Sequence, residues 1–452
     1  MTIKALIHVE EKRRDLLYCF YMKYLFERHG IDVTLSNRLV LKRYLKNLNF
    51  DIIVIPVCTL LGTLEEQEIL NKKSHIYVYP TEGALHDPRD LFHKYTGYRN
   101  ETSLRYQRAK LARINFLWGN LALRGLQKSD YFPEDQLEVV GAQRIQFIKK
   151  YHDIDRKELP VGFLSRFALF NTYKNRTNFE ELDVMRNIHG YAFDETRNAE
   201  DYVWAEWASA RITFEFLDKC KERNIKVKYR PHPREETSNY GYLKDKYGDI
   251  FDLSDMDLPY ELWLEKVSSV VSFNSTAFYE SMLADFPTIT LTPLIGERLG
   301  DHLKLPVHFV PISDYVYSPK DWNDVFRAIE QIKKGDLSDF SHNNEKCKAL
   351  IHDLYNSNDK IPAIEKAVLT IMVDFKEFKK QSSFGSELKF LIKKHTMYYY
   401  SIVRDSLPFL KSFLLRSSID ASGVNYILLV GKGFRKYKKV IEDNFEKYKN
   451  IN

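Results

Sequence analysis

Asp51-Ile-Ile-Val-Ile-Pro-Val57 is an apolar run of strand length without polar alternation. Such a run belongs in a strand covered on both faces. It stands in a repeating context. Ile3 to Val9 is another short apolar run, Asp15 to His29 carries helical periodicity, and Gly30 is placed to end that helix as its C′ residue. Ile31 to Leu35 resumes as a strand, and His75-Ile-Tyr-Val-Tyr-Pro80, Ile114-Asn-Phe-Leu-Trp-Gly119 and Leu137-Glu-Val-Val-Gly141 follow in the same manner. Strands alternating with helices predict a parallel, doubly wound sheet.

A second series begins near Val161. Helical text runs from about Tyr202 to Arg223, with Trp204, Trp207 and Phe214 among its apolar positions. Lys226 to Arg230 reads as a strand, Tyr260 to Lys266 as a helix, Ser268 to Phe273 as a strand, Ala277 to Asp285 as a helix and Pro287-Thr-Ile-Thr-Leu-Thr292 as a strand. Helix-rich text follows from Trp322 to about Lys380, and no internal repeat of fixed period is visible. The expected organisation is α/β: two Rossmann-like domains at 1–155 and 156–375, then an extension at 376–452.

The 452 residues allow two or three domains at ~150 residues each. Fourteen per cent aromatic content excludes a disordered chain. No stretch approaches the ~18 apolar residues of a spanning helix, and the start lacks a signal peptide's apolar region. Cys19, Cys58, Cys220 and Cys347 are scattered without a CxxC pair, which fits a reducing compartment and no metal site. A cytoplasmic protein is expected. Its net charge of +6 is uneven: residues 376–452 hold 16 Lys+Arg and 7 Asp+Glu, leaving −3 for the remainder. Phe409, Phe413, Leu414 and Leu415 beside Lys411 and Arg416 could lie on an anionic lipid surface or pack back on the body. No recognised motif accompanies the charge, so no nucleic-acid partner is expected.

Ligands of open α/β sheets bind beyond the carboxyl ends of the strands, and two such domains facing each other make a cleft. Tyr229-Arg-Pro-His-Pro-Arg-Glu235 puts Arg230, His232 and Arg234 at one strand end, on a turn stiffened by two prolines. That suits a phosphate, or is a proline-rich turn whose His caps backbone. Val271-Ser-Phe-Asn-Ser-Thr-Ala-Phe-Tyr-Glu-Ser281 offers Ser272, Asn274, Ser275 and Thr276 at a helix start, with Glu280 a turn inside and in reach of a sugar hydroxyl pair. An ordinary N-cap cluster reads the same way. Tyr79-Pro-Thr-Glu-Gly83 places Glu82 at a strand end as a catalytic or acceptor-orienting carboxylate, or as a solvated loop glutamate. Trp118-Gly119 and Gly141-Ala-Gln-Arg144 end two more strands, and Glu10-Glu-Lys-Arg-Arg-Asp15 could receive an anionic acceptor through Lys12 and Arg14. Asp255-Met-Asp257 has DxD spacing but no strand before it, so Asp257 reads as an N-cap. Gly431-Lys-Gly433 is no nucleotide loop, and neither GxSxG nor HExxH is present.

Together these segments resemble the bacterial surface carbohydrate biosynthesis family of GT-B glycosyltransferases, which includes the retaining β-Kdo transferases of capsule and lipopolysaccharide assembly. The resemblance rests on Glu10 with its basic neighbours, Glu82-Gly83, Trp118-Gly119, Val140-Gly141…Arg144, Arg230-Pro-His232-Pro233 and Ser272…Ser275-Thr276…Glu280. Ala142-Gln143 departs from the family's Asn-Pro before Arg144, and Asn171 to Asn178 matches only loosely. A His-Pro turn followed by a Ser/Thr-rich turn also looks like the CMP-sugar site of bacterial sialyltransferases and polysialyltransferases.

The resemblance implies a CMP-sugar donor, CMP-Kdo or a related ulosonic acid, with no metal or other cofactor required, and a glycan or glycolipid acceptor. It implies donor contacts from Arg230, His232, Ser272, Asn274, Ser275, Thr276, Glu280, Trp118, Gly119 and Arg144. Acceptor contacts would come from Glu10, Lys12 and Arg14 in the first domain, and catalysis from Glu82 and His232. Retention needs a second carboxylate as nucleophile, for which Asp194 stands beside Asp183 and Asp201 as alternatives. Two other readings remain: a UDP-sugar transferase or 2-epimerase on the same fold, and a non-catalytic scaffold in polysaccharide assembly.

Overall fold

The computed structural model describes residues 2–82, 111–127, 132–148, 154–167, 171, 177, 180, 199–233, 235–273, 275–299, 315–340, 345–357 and 359–376. The chain divides into two compact units: Met1–Phe147 together with Asp353 onward, and Ile148–His352.

In the first unit, β1 (Lys4–His8), β2 (Asp32–Ser36), β3 (Ile52–Ile55), β4 (His75–Val78), β5 (Ile114–Leu117) and β6 (Leu137–Val139) form one parallel sheet in the order β2-β1-β3-β4-β5-β6. Every residue of β3 is buried, as its unbroken apolar run requires. Helices α1 (Lys12–Arg28), α2 (Arg38–Asn47), α3 (Leu64–Asn71) and α4 (Asn120–Gln127) connect the strands. Gly30 ends α1 at φ +77°, with the Ile31 amide returning to the Phe26 carbonyl at 3.1 Å, a Schellman closure.

The second unit holds β7 (Val161–Leu164), α5 (Ala199–Glu222), β8 (Val227–Arg230), α6 (Gly241–Tyr247), β9 (Phe251–Asp252), α7 (Tyr260–Trp263), β10 (Val270–Ser272), α8 (Ala277–Leu283), β11 (Thr288–Thr290), α9 (Thr292–Leu299), α10 (Trp322–Lys333) and most of α11 (Glu345–Tyr355). Its parallel sheet runs β11-β10-β7-β8-β9. The chain leaves β7 in one direction and β10 in the other, so the switch point lies at those two strand ends. In the first sheet it lies between β1 and β3. Phe163 stacks on Phe216 and Tyr229 at 5.5 and 5.3 Å between centroids, which ties β7, α5 and β8 into one aromatic core.

The units differ from the expected ranges at the far end of the helix-rich text. From Asp353 the chain belongs to the first unit, and α12 (Ala363–Lys376) packs on α1. The reason lies in α1, where Leu16, Leu17, Tyr18, Cys19, Phe20, Tyr21 and Met22 are all buried. A helix apolar on every side needs cover beyond the sheet beneath it. Ile364, Ala367, Val368 and Ile371 supply that cover, each of the two isoleucines and the valine worth ~1.5–3 kcal/mol. Polar ties fix the register: Tyr21 hydroxyl to Glu365, Gln146 Nε2 to Glu365 Oε2 at 2.7 Å, Tyr77 hydroxyl to Asp374 at 2.7 Å and Arg113 Nε to Asp374 at 2.8 Å. The extension beyond Lys376, with its proposed lipid-facing residues, lies outside the described residues. No described helix is long and apolar enough to cross a membrane, and all four cysteines are free and buried.

Gly119 is the tightest point of this closure. A Cβ there would stand 2.1 Å from the Asp353 carbonyl oxygen and 2.6 Å from the Leu354 carbonyl carbon. Gly119→Ala is therefore expected to destabilise the protein by ~2–3 kcal/mol in denaturant unfolding; an unchanged midpoint would show that Asp353 and Leu354 give way without cost.

Candidate functional site

At the carboxyl end of the first sheet the chain builds a cluster around Arg14, in the first turn of α1. Its Nε and Nη2 reach the two oxygens of Asp15 at 2.6 and 3.2 Å, Nη1 donates to Glu82 at 2.5 Å, and Nη2 donates to Glu10 at 2.9 Å and Thr81 at 3.0 Å. The Thr81 hydroxyl donates to Glu10. Asp15 is fully buried and also accepts from the Glu11 amide at 2.8 Å, so it fixes the start of the helix and the guanidinium at once. Burial alone would lower the Arg14 pKa, but Asp15, Glu82 and Glu10 together hold it well above the ordinary value. Burial pushes the Asp15 carboxyl up against the opposing pull of Arg14. His8, which ends β1, is desolvated to about 4 and stays neutral.

This cluster brings together residues expected in separate roles. Glu10 and Glu82 share one guanidinium, and the Glu82 side chain keeps 52% of its surface exposed. Arg14, expected as an acceptor contact, bonds Asp15, Glu82, Glu10 and Thr81 of the chain itself and so holds Glu10 and Glu82 in place. Lys12 opens α1, and its side chain lies outside the described set.

In the second unit, the turn after β8 closes by the Glu235 amide donating to the His232 carbonyl at 2.9 Å. Pro231 is buried and His232 exposed. Glu235 is the brace. Its buried carboxylate accepts from the hydroxyls of Ser165 and Tyr240 and from the Phe167 amide at 2.5 Å, while Ser165 Oγ accepts from the His232 amide at 3.3 Å. The ends of β7 and β8 are thereby locked together beneath His232. Burial raises the Glu235 carboxyl to about 7, outweighing the hydrogen bonds that pull it down. The Arg230 guanidinium donates to the Met256 carbonyl at 3.3 Å and lies 5.9 and 5.8 Å from the ring centroids of Tyr260 and Trp263, so its charge is held over aromatic faces.

The turn after β10 divides by residue. The Ser272 hydroxyl donates to the Leu164 carbonyl at 2.8 Å and is fully buried, so it extends the β10–β7 pairing and is closed to a ligand. Ser275 Oγ accepts from the Ala277 amide at 3.3 Å, and Thr276 caps α8 without a side-chain bond; both are partly exposed. Glu280 is 2% exposed, too enclosed for a hydroxyl pair to reach it from solvent. Trp118 and Gly119, expected as donor contacts, are placed in packing. The Trp118 indole donates to the Pro80 carbonyl at 2.9 Å and stacks on Tyr355, and both residues serve the packing of Asp353 onward within the first unit. Arg144, in the same unit, is half-buried in the 3₁₀ segment Gln143–Phe147. Asn274, Arg234, Gly83, Asp183 and Asp194 lie outside the described residues, as does the side chain of Asp201.

Asp255 pairs with buried Lys228, which also holds Asp252 at 2.6 Å, so the DxD spacing has a structural use. The N-cap of α7 is Pro259, not Asp257. Sequence reading passed over Asp15, Ser165 and Glu235. Only Glu235 carried a signal, as an acidic residue directly after the His-Pro turn.

The family model for alpha-2,8-polysialyltransferase matches residues 206–292, about a fifth of the chain. Solved structures of the wall teichoic acid polymerase TagF align over most of it. One variant covers 83% of this chain and 89% of its own at 10% identity and a TM-score of 0.51, and a variant with CDPG covers 82% and 89% at 10% and 0.51. The UDP-GlcNAc 2-epimerase of Methanocaldococcus jannaschii covers 82% and 100% at 10% identity and a TM-score of 0.45. No functionally curated protein matches the chain. The TagF likeness puts the two Rossmann-like units in the GT-B fold class.

Glu235 has a measurable signature. Its folded pKa is raised, so its contribution to stability is complete below the ordinary carboxyl value of 4.5 and lost as pH rises through about 7. The stability difference between wild type and Glu235→Gln is expected to change by about 2.5 kcal/mol between pH 5 and pH 8 in chemical denaturation. A constant difference would mean that the carboxyl is ionised throughout.

Proposed function

We propose that the protein is a glycosyltransferase of surface polysaccharide assembly that takes an ulosonic acid from a CMP-sugar. The observation that carries this reading is the polysialyltransferase match at 206–292, which contains both the His232 turn and the Ser275–Thr276 turn. The match favours sialic acid as the sugar, while the motif resemblance favours Kdo; both are ulosonic acids.

In this reading His232 and Arg230 neutralise the donor phosphate, with Ser275, Thr276 and Asn274 completing its contacts. Departure of CMP needs its developing negative charge met by fixed donors, and a cation pinned over two aromatic rings costs no reorganisation when the bond breaks. Glu82 is the catalytic carboxylate. Arg14 orients it, and its exposed side chain takes the proton of an acceptor hydroxyl as general base. Glu10 orients the same hydroxyl-bearing acceptor. A retaining course adds a nucleophile, for which Asp194 is the residue proposed.

Calorimetry with CMP, UDP and GDP on wild type and His232→Ala tests the donor. CMP is expected to bind preferentially and to weaken at least tenfold in the variant. Preference for UDP would overturn the CMP assignment, and no nucleotide binding would leave a scaffold. Glu82→Gln is expected to lower turnover of CMP-Kdo or CMP-sialic acid by about 10²-fold or more with CMP affinity unchanged; equal turnover would remove Glu82 from catalysis.

A further inference from the structure

Helices α2 and α3 of the first unit line one groove together. Lys42, Leu45 and Lys46 on α2 and Glu66, Ile69 and Leu70 on α3 each follow the i, i+3, i+4 spacing of a single helical stripe. Two such stripes would ordinarily close on each other. Here they border a groove of about 420 Å³ whose floor includes Phe50 and Ile53, both buried. Ile69 remains 48% exposed at its edge, although it is a large aliphatic residue.

The charge around the groove is one-sided. Lys42, Lys46 and Lys73 line it, all exposed, and Glu66 is the one carboxylate among the described lining residues. That carboxylate accepts from the Thr63 amide at 2.6 Å as half of a capping box, so it serves the start of α3. Hydrocarbon below and ammonium groups above is the complement of an anionic amphiphile. A free anion would find the lysines but leave exposed Ile69 and half-buried Leu45 and Leu70 wet, and a neutral apolar ligand would leave the lysines unused.

We propose that this groove binds an anionic membrane lipid, its acyl chain along Leu45, Ile69 and Leu70 between α2 and α3 and its phosphate on Lys42 and Lys46. The site docks the protein on an anionic membrane surface through the first unit, independently of the basic extension. It stands on the groove alone and not on the nucleotide-sugar reading, so loss of either leaves the other intact.

The test is co-sedimentation of the full chain with vesicles of phosphatidylcholine alone or with 30% phosphatidylglycerol. Wild type is expected to partition onto the anionic vesicles only. At about fivefold per lysine near an anionic surface, Lys42→Ala combined with Lys46→Ala lowers the partition coefficient about 25-fold, while Lys411→Ala combined with Arg416→Ala, an equal charge loss in the extension, leaves it within about twofold. Ile69→Asp, at an exposed position, reproduces the loss without touching a lysine. Calorimetry with dodecyl phosphate and inorganic phosphate supplies the second arm: the alkyl phosphate binds in a Lys46-dependent way and inorganic phosphate does not. Equal binding of the two phosphates would reduce the groove to an anion site. A partition coefficient unaffected by the α2 lysines, or lowered only by the extension variant, would move membrane contact elsewhere and overturn the proposal. Concentration-dependent self-association of wild type abolished by Ile69→Asp, without lipid binding, would overturn it in favour of a second copy of the chain.

Discussion

A parallel sheet has two apolar faces and cannot leave either wet. In the first unit this constraint reaches to the end of the described chain. Helix α1 covers part of the sheet, but with Leu16 through Met22 buried throughout it is itself a two-faced element that needs cover beyond the Gln143–Phe147 segment, whose Phe147 ring meets Tyr21 edge-on. The chain returns at Asp353 to provide it. Gly119 admits the returning backbone, Trp118 stacks on Tyr355, and Glu365 and Asp374 find their partners on α1, β4 and the neighbouring loops. Residues whose strand-end position suggests ligand binding are thus consumed by packing.

Both units also solve one problem in the same way: how to hold an exposed polar group still at a strand end. Each uses a buried carboxylate beneath it. Asp15 grips the guanidinium that in turn holds Glu10 and Glu82; Glu235 grips Ser165, Phe167 and Tyr240, and through Ser165 the backbone of His232. Burying a carboxylate is costly unless its oxygens are met by donors. Asp15 meets a guanidinium and an amide, and Glu235 meets two hydroxyls and an amide. The rigidity gained is of the kind that a functional geometry needs.

What could be read from the sequence follows the same division. Alternating strand and helix patterns are local, so β1 to β8, β10 and β11 lie close to their expected places, and Gly30 closes α1 as its C′ residue. The His-Pro turn was legible because proline restricts the backbone wherever it occurs. Ser272 and Ser275 are the same residue type three positions apart, yet one is spent on the Leu164 carbonyl and the other is partly exposed. That difference depends on which strand lies alongside, a long-range fact absent from the local pattern. Trp118 and Glu365 depend on the same kind of fact, being explained by partners more than 200 residues away in sequence.

The electrostatic character of the two strand-end sites differs in a way that bears on their use. Among the described side chains, the carboxylates of Glu10, Asp15 and Glu82 all pair with Arg14, and neighbouring His8 is neutral. An anionic group approaching there meets like charge, whereas a hydroxyl meets acceptors already oriented to take its proton. At the end of β8 Arg230 is fixed over Tyr260 and Trp263, Asp252 and Asp255 are paired with Lys228, and Glu235 is buried and turned toward hydroxyl and amide donors. A phosphate is matched to the second environment and mismatched to the first. Under the proposed glycosyl transfer, the first unit is suited to the hydroxyl that attacks, and the second to the phosphate that leaves.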